Sequence, residues 1–431
     1  LLNIILDSHL SDEQKQKLLI ANVTGVLKHL VVFLFAITVL ALISILPLVA
    51  FVYASSVSWS ALDLNSFKFV LSMVLGSLII LIIPNKTANK DYSEWSMLLH
   101  DIALDNYNIS KVLFNLEKKV FLKKNRTTNK KFVVVSGLAR SGTTALTSIL
   151  YDTHKFHALS YANMPFLLSV RFWQALYKPK QRTLKERKHG DQVLFGYNTI
   201  EALEEYFFKV FLRDGYIKAH LQEHSIEEDC YLSYLSYQTL ISKNGGRSIY
   251  LAKNNNFMLR YKSIRERNRE FVLILLFRKP LEHARSLLRQ HHRFTEFQKG
   301  EPFILKYMNW LGHHEFGLNH KPFQFGEEFD DQSYPQETLN YWVAIWINYY
   351  TAMLTVLEDE NLILVEYLDL LDNPEGVIKS LEKCLDIQLP IAIERFSKNE
   401  IAPTESESVD DNLIVRAETL YDQLVNKKVE V

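Results

Sequence analysis

Phe132-Val133-Val134-Val135-Ser136 runs straight into Gly137-Leu138-Ala139-Arg140-Ser141-Gly142-Thr143-Thr144, and Ala145-Leu146-Thr147-Ser148-Ile149-Leu150 follows. The β-branched run predicts a buried strand, and the last stretch predicts a helix. A strand, a glycine-bearing turn and a helix in immediate succession form the local frame of a phosphate loop. Glycines let the backbone approach an anion, and the helix N-terminus supplies N–H groups and a favourable dipole. Gly137 and Gly142 keep the outer spacing of a Walker A loop. The lysine that a nucleoside triphosphatase needs after the second glycine is replaced by Thr143, and the loop's positive charge has moved to Arg140.

A second anion site is readable farther on. Phe271-Val272-Leu273-Ile274-Leu275-Leu276-Phe277 is a near-continuous apolar run, as expected of a parallel strand covered on both faces. Arg278-Lys279-Pro280 ends it, and Pro280 suits the first turn of a new helix that carries Ser286. Arg278 is thereby expected at a strand C-terminus, where open α/β sheets bind ligands.

Together these stretches resemble the PAPS-dependent sulfotransferase superfamily, in its bacterial type with an Arg-Ser-Gly-Thr-Thr loop (PAPS is 3′-phosphoadenosine-5′-phosphosulfate). The resemblance spans about Phe132 to at least Tyr367. It implies that Arg140, with the backbone of Ser141, Gly142, Thr143 and Thr144, holds the 5′-phosphate. It implies that Arg140 also steadies charge on the oxygen that leaves with that phosphate. An arginine at a strand end and a serine eight residues later form the family's 3′-phosphate motif, which Arg278 and Ser286 match. The implied reaction transfers a sulfuryl group from PAPS, as co-substrate and without a metal, to a hydroxyl or amine. The acceptor is expected to be a glycan or another lipid-linked group.

Such a transfer needs a base for the acceptor proton. Some members of the family carry a glutamate after the first helix. Here that segment, His157-Ala158-Leu159-Ser160-Tyr161-Ala162-Asn163, holds no acid. Candidates lie downstream: His189 and Asp191, then Glu201, Glu204 and Glu205 in a stretch patterned as a helix, with Glu204 and Glu205 favoured. Lys253 is either a further cation for the phosphosulfate or a loop lysine. His291, His292, His313, His314 and His320 cluster in sequence without a metal-binding spacing.

Before the loop the chain is of another character. Leu30 to Tyr53 contains no charged residue, and neither does Phe69 to Ile83. Both runs are expected to span a membrane as a hairpin. Lysines outside the pair, at Lys15, Lys17, Lys28, Lys86 and Lys90, place both ends and the catalytic domain on the cytoplasmic side of the inner membrane. A basic stretch from Lys118 to Lys131 is either a contact for anionic lipid or a solvated linker.

The expected fold class is α/β, a P-loop-type parallel sheet flanked by helices and preceded by a transmembrane helical hairpin. The expected divisions are a cytoplasmic segment 1–28, two membrane helices 29–85, a helical, basic linker 86–131, the sulfotransferase domain 132–402, and a linker with a closing helix 403–431. Lys and Arg number 49 and Asp and Glu number 49, so no global charge points to nucleic acid. Two cysteines exclude a disulfide scaffold. The alternatives are a P-loop kinase or nucleotidase, and an inactive membrane adaptor of the same fold.

Overall fold

The protein was analysed as a computed structural model that describes residues 94–122, 130–177, 185–186, 194–195, 199–242, 249–326, 333–390 and 408–430. The two charge-free runs, His189 and Asp191 lie outside the described residues. No helix among the described residues is long and apolar enough to cross a membrane.

Five parallel strands form the sheet: β1 (Phe132–Gly137), β2 (Phe156–His157), β3 (Ile249–Lys253), β4 (Val272–Phe277) and β5 (Leu362–Glu366). Their spatial order is β2-β3-β1-β4-β5, so β1 is central and the order reverses beside it. Val135 pairs with Lys253 on one side of β1, and Gly137 pairs with Leu276 on the other. Phe277 pairs with Glu366 at the next junction. These registers bring the C-terminal ends of β3, β1, β4 and β5 to a common edge. Ligands bind at this edge, near a switch point, in open α/β sheets.

Strand alternation explains the two cores. Val133, Val135, Val272, Ile274 and Leu276 pack with Leu146 and Leu150 of α3 (Thr143–Asp152) and with Val377, Ile378 and Leu381 of α8 (Pro374–Leu385). Phe132, Val134, Leu273 and Leu275 face the other way into a larger, aromatic core. That core is built with α5 (Glu228–Ile241), α6 (Pro280–Gly300) and α7 (Leu339–Leu354). Asn373 caps α8 by accepting the Gly376 N–H at 3.0 Å, and Pro374 fills its first position.

Two helices that the sequence assigns to a linker also belong to this body. The compact unit begins at Leu98. Leu104 of α1 (Glu94–Leu104) and Phe114 of α2 (Tyr107–Phe121) are fully buried in the aromatic core. Phe114 meets Phe207, Phe211 and Tyr237 edge-on. The apolar residues of α2 were overshadowed in sequence by the lysines around them.

Helix α7 does more than fill space. Tyr350 donates its hydroxyl to the Leu276 carbonyl at 2.8 Å, and Trp346 donates its indole N–H to the Arg278 carbonyl at 3.2 Å. Both carbonyls lie at the end of β4, where the ladder runs out and buried acceptors need partners.

Four buried histidines impose a pH limit on the fold. Burial lowers His283 and His320 to about 3, and His291 and His314 to about 4. Each is thus neutral in the fold, while in the unfolded chain it takes a proton below about pH 6.5. The stabilising contribution is complete above that value and is lost as the pH falls toward the folded values. Denaturant midpoints are expected to decline steadily from about pH 6.5 to about pH 4. A midpoint constant across that window would contradict the neutral, buried assignment.

Candidate active site

The loop after β1 is shaped by close approach. A Cβ on Gly137 would lie 2.7 Å from the Leu276 carbonyl oxygen and 2.6 Å from Ser141 Oγ. Gly142, at φ 99°, caps α3, and a Cβ there would sit 2.4 Å from the Tyr367 ring. Larger residues at either position would force β1 away from β4 or Tyr367 out of place. The Ser141 N–H closes the turn on the Leu138 carbonyl at 3.1 Å. Arg140 occupies the left-handed region at φ 71°, uncommon for a residue with a Cβ and frequent where a site over-determines the backbone.

His283 holds this turn from below. Its Nε2 lies 2.7 Å from the Ala139 carbonyl oxygen. A carbonyl can only accept, so Nε2 carries the proton of the neutral ring. Burial keeps that ring neutral, and the charges of Arg278 and Arg140 push in the same direction. A neutral histidine therefore supports the loop without adding a fixed charge beneath it.

The two sequence-predicted anion sites meet. Arg140 Nε lies 3.4 Å from Ser286 Oγ, across 146 residues of chain. Ser286 is buried on α6, one helix away from the loop. Arg278 follows β4, its backbone fixed by Trp346 and its guanidinium 4.8 Å above the Tyr367 ring. Arg278 Nε is buried without a protein hydrogen-bond partner, and its Nη2 reaches Glu282 at 3.4 Å. Arg289, three residues beyond Ser286, is drawn into the same field. Partial burial lowers its guanidinium, and the charges of Arg140 and Arg278 lower it further. Positive charge is thus concentrated where Arg140 and Arg278 leave the sheet edge, an arrangement whose repulsion a bound polyanion would relieve.

Tyr367 had no role assigned from sequence. It joins the two sites physically, one part of its ring against Gly142 and its face beneath Arg278. The Glu-Tyr pair that closes β5 was the available signal.

The favoured acids lie in a buried hydrogen-bond network. Glu205 is buried and bound by Arg260 through two contacts of 2.6 and 2.7 Å, with Tyr216 also donating to it. Burial alone would raise its carboxyl, but the charge and hydrogen bonds of Arg260 outweigh that and hold it low. Arg260 is itself stacked 4.1 Å from the Phe208 ring. Glu204 accepts from Tyr250 at 2.7 Å, Tyr234 at 2.8 Å and Asn254 at 3.0 Å, and burial raises its carboxyl. Both carboxylates thus face inward and tie β3 to α5 and to α4 (Glu205–Leu212). The helical pattern begins only at Glu205, which explains why the spacing argument misplaced its neighbours.

Glu201 is placed differently. Ile200 forms an antiparallel bridge with Ser160, and the Tyr161 N–H donates to the Thr199 carbonyl at 3.2 Å. This pairing lays Glu201 beside the acid-free segment that follows β2. Its Oε2 lies 3.3 Å from Lys253 Nζ, at the end of the strand that flanks β1. Behind the pair, His313 Nε2 contacts the Ala202 carbonyl at 3.0 Å, and Asn255 donates to Glu315 at 3.2 Å.

The Glu205–Arg260 pair gives a sharp expectation. Arg260→Met leaves a buried carboxylate uncompensated and is expected to cost about 3–5 kcal/mol of unfolding free energy in denaturant titrations. A loss below about 1 kcal/mol would place the pair at the solvent boundary instead.

No protein-family model matches the chain, and no curated protein matches it. Among solved structures the chain is similar to bacterial sulfotransferases. Sulfotransferase STF1 from Mycobacterium tuberculosis H37Rv is 13% identical, with 76% of this chain and 86% of that one covered, at a TM-score of 0.44. Sulfotransferase STF9 from Mycobacterium avium is 10% identical, with 75% and 85% covered, at 0.41. The sulfotransferase domain from the curacin biosynthetic pathway is 15% identical, with 70% and 99% covered, at 0.32.

Proposed function

We propose that the protein is a PAPS-dependent sulfotransferase acting on a hydroxyl or amine. The observation that carries this reading is the meeting of two anion sites, Arg140 on the loop and Arg278 with Ser286, at the C-terminal edge of the sheet. A nucleotide with phosphates at both its 5′ and 3′ positions fits this pairing. The buried, unpartnered Arg278 Nε and the cradle that excludes a Cβ at Gly137 and Gly142 suit such a ligand. ATP lacks a 3′-phosphate and would leave Arg278 and Ser286 without a task. Thr143 in place of the Walker lysine further disfavours the kinase reading.

In this reading the backbone N–H groups at the start of α3 and the Arg140 guanidinium hold the 5′-phosphate. Arg278 and Ser286 hold the 3′-phosphate, with Arg289 beside them. When bound, the phosphosulfate supplies the sulfuryl group. A bond forms between the acceptor atom and sulfur, and the bond from sulfur to the 5′-phosphate oxygen breaks. Arg140 compensates the charge that develops on that oxygen. Glu201, whose Oε2 lies 3.3 Å from Lys253 Nζ, takes the acceptor proton. The acceptor class proposed is a lipid-borne glycan or similar group, on the strength of the charge-free N-terminal runs and the cytoplasmic orientation read from the lysines.

Binding of adenosine 3′,5′-bisphosphate in Mg²⁺-free buffer tests the nucleotide. Calorimetry should show tight binding that Arg278→Ala weakens by about 10- to 150-fold, the equivalent of a charge-assisted hydrogen bond of about 1.5–3 kcal/mol. Preference for ATP with Mg²⁺ would favour a kinase. The proton acceptor is tested separately. Glu201→Gln is expected to lower kcat by about 10²–10⁴ while leaving bisphosphate affinity intact. An undiminished kcat would remove Glu201 from the mechanism.

A further inference from the structure

Glu366 ends β5 and Tyr367 follows it, so whatever fixes Glu366 also fixes the start of the residue whose ring stands against Gly142 and beneath Arg278. The Glu366 carboxylate is buried, and both of its oxygens are bound by residues much later in the chain. Tyr421, 55 positions on, donates its hydroxyl to Oε1. Lys428, 62 positions on, donates from Nζ to Oε2 at 2.6 Å. Tyr421 belongs to α9 (Asp411–Val425), which packs on α6 and α7. Its ring lies 5.8 Å from that of Phe277, the β4 residue that pairs with Glu366.

Lys428 does more than neutralise one carboxylate. Its Nζ also lies 2.6 Å from Asp369 Oδ2. Asp369 stands in the first turn of the short helix Tyr367–Asp372. One ammonium group thus braces the residue before Tyr367 and a residue two places after it. The segment that carries it is docked by its own backbone. The Val429 N–H donates to the Leu364 carbonyl at 2.9 Å, on the outermost strand of the sheet. The Glu430 carbonyl accepts the Ser380 hydroxyl at 2.5 Å. An ion pair between two exposed side chains contributes little. Here Glu366 is only 3% exposed, and the neighbouring backbone bonds set where Lys428 stands. Without Lys428 a buried carboxylate loses its counter-charge, and two acids flank the residue that joins the candidate anion sites.

We propose that Lys428 is a positioning residue for the nucleotide site, acting through Glu366 on Tyr367, with Tyr421 as its helper. The proposal rests on the reading of that site as one for a doubly phosphorylated nucleotide. Lys428 touches no ligand in this account. It holds the turn from β5 into the next helix, and so keeps the Tyr367 ring where Gly142 and Arg278 both meet it.

The test uses the full chain and two readouts, with melting temperatures well above the assay temperature verifying that each variant is folded. In calorimetry Lys428→Met should raise the Kd for adenosine 3′,5′-bisphosphate at least about 5-fold, and Lys428→Arg should restore most of the loss. In a Glu366→Gln background the same Lys428→Met change should matter by less than about 2-fold, because the two residues act as one unit. The second readout needs no ligand. A single 3-fluorotyrosine placed at position 367 should give a fluorine resonance that Lys428→Met moves toward its position in the denatured chain. An unchanged Kd in Lys428→Met overturns the proposal, as does a fluorine resonance superimposable on that of the parent chain, or a full effect of Lys428→Met when Glu366 is already Gln. Should the parent chain itself fail to bind the bisphosphate, the nucleotide reading falls, and the fluorine resonance alone decides whether Lys428 positions Tyr367.

Discussion

Between the ends of β1 and β4 there is no room for a Cβ, and the site depends on that contact. Gly137 lies directly against the Leu276 carbonyl oxygen, which also accepts the Tyr350 hydroxyl. The close approach sets where the loop starts, hence where Arg140 turns and where α3 begins. The same strand end sets where Arg278 leaves the sheet. Two candidate anion sites far apart in the chain are thus placed by one pair of neighbouring strands, and α6 carries Ser286 back toward Arg140. Loop flexibility plays little part, because each backbone turn is tied to a buried partner: Ala139 to His283, and Arg278 to Trp346.

The parallel-sheet fold and the outline of this site were legible because their signals are local. A β-branched run, a glycine turn and a helix lie consecutively in β1 and α3, and an apolar run, an arginine and a proline lie consecutively in β4 and α6. Pairing of Val135 with Lys253 was not legible, since register between strands is a matter of tertiary packing. The acids were harder still. Glu201, Glu204 and Glu205 occur within five residues, and helical periodicity puts Glu201 and Glu204 on one face with Glu205 one step round. The bridge between Ser160 and Ile200 breaks that periodicity, leaving Glu201 at the sheet edge and sending its neighbours inward. Nothing in the local sequence announces Arg260 as the partner of Glu205, which lies 55 residues away.

That inward network has its own logic. Glu204 and Glu205 would be costly to bury alone, yet Asn254 donates to both, while tyrosines and Arg260 satisfy the remaining oxygens. Asn254 follows Lys253 directly, and its N–H donates to the Val135 carbonyl at 3.0 Å. The buried carboxylates therefore anchor the strand end that presents Lys253 to Glu201. The buried pair thereby helps to position Lys253 beside Glu201.

Tyr367 gives the site a mechanical property as well as a chemical one. Its ring is shared, against the glycine that begins α3 and beneath the guanidinium that follows β4. Neither end of the pocket can relax without moving that ring. The two candidate subsites are thereby linked mechanically through one ring. On the proposed function, phosphate fragments filling them singly would each have to settle that ring, whereas a molecule spanning both would settle it once, so that stiffness would add to charge in favouring a doubly phosphorylated nucleotide.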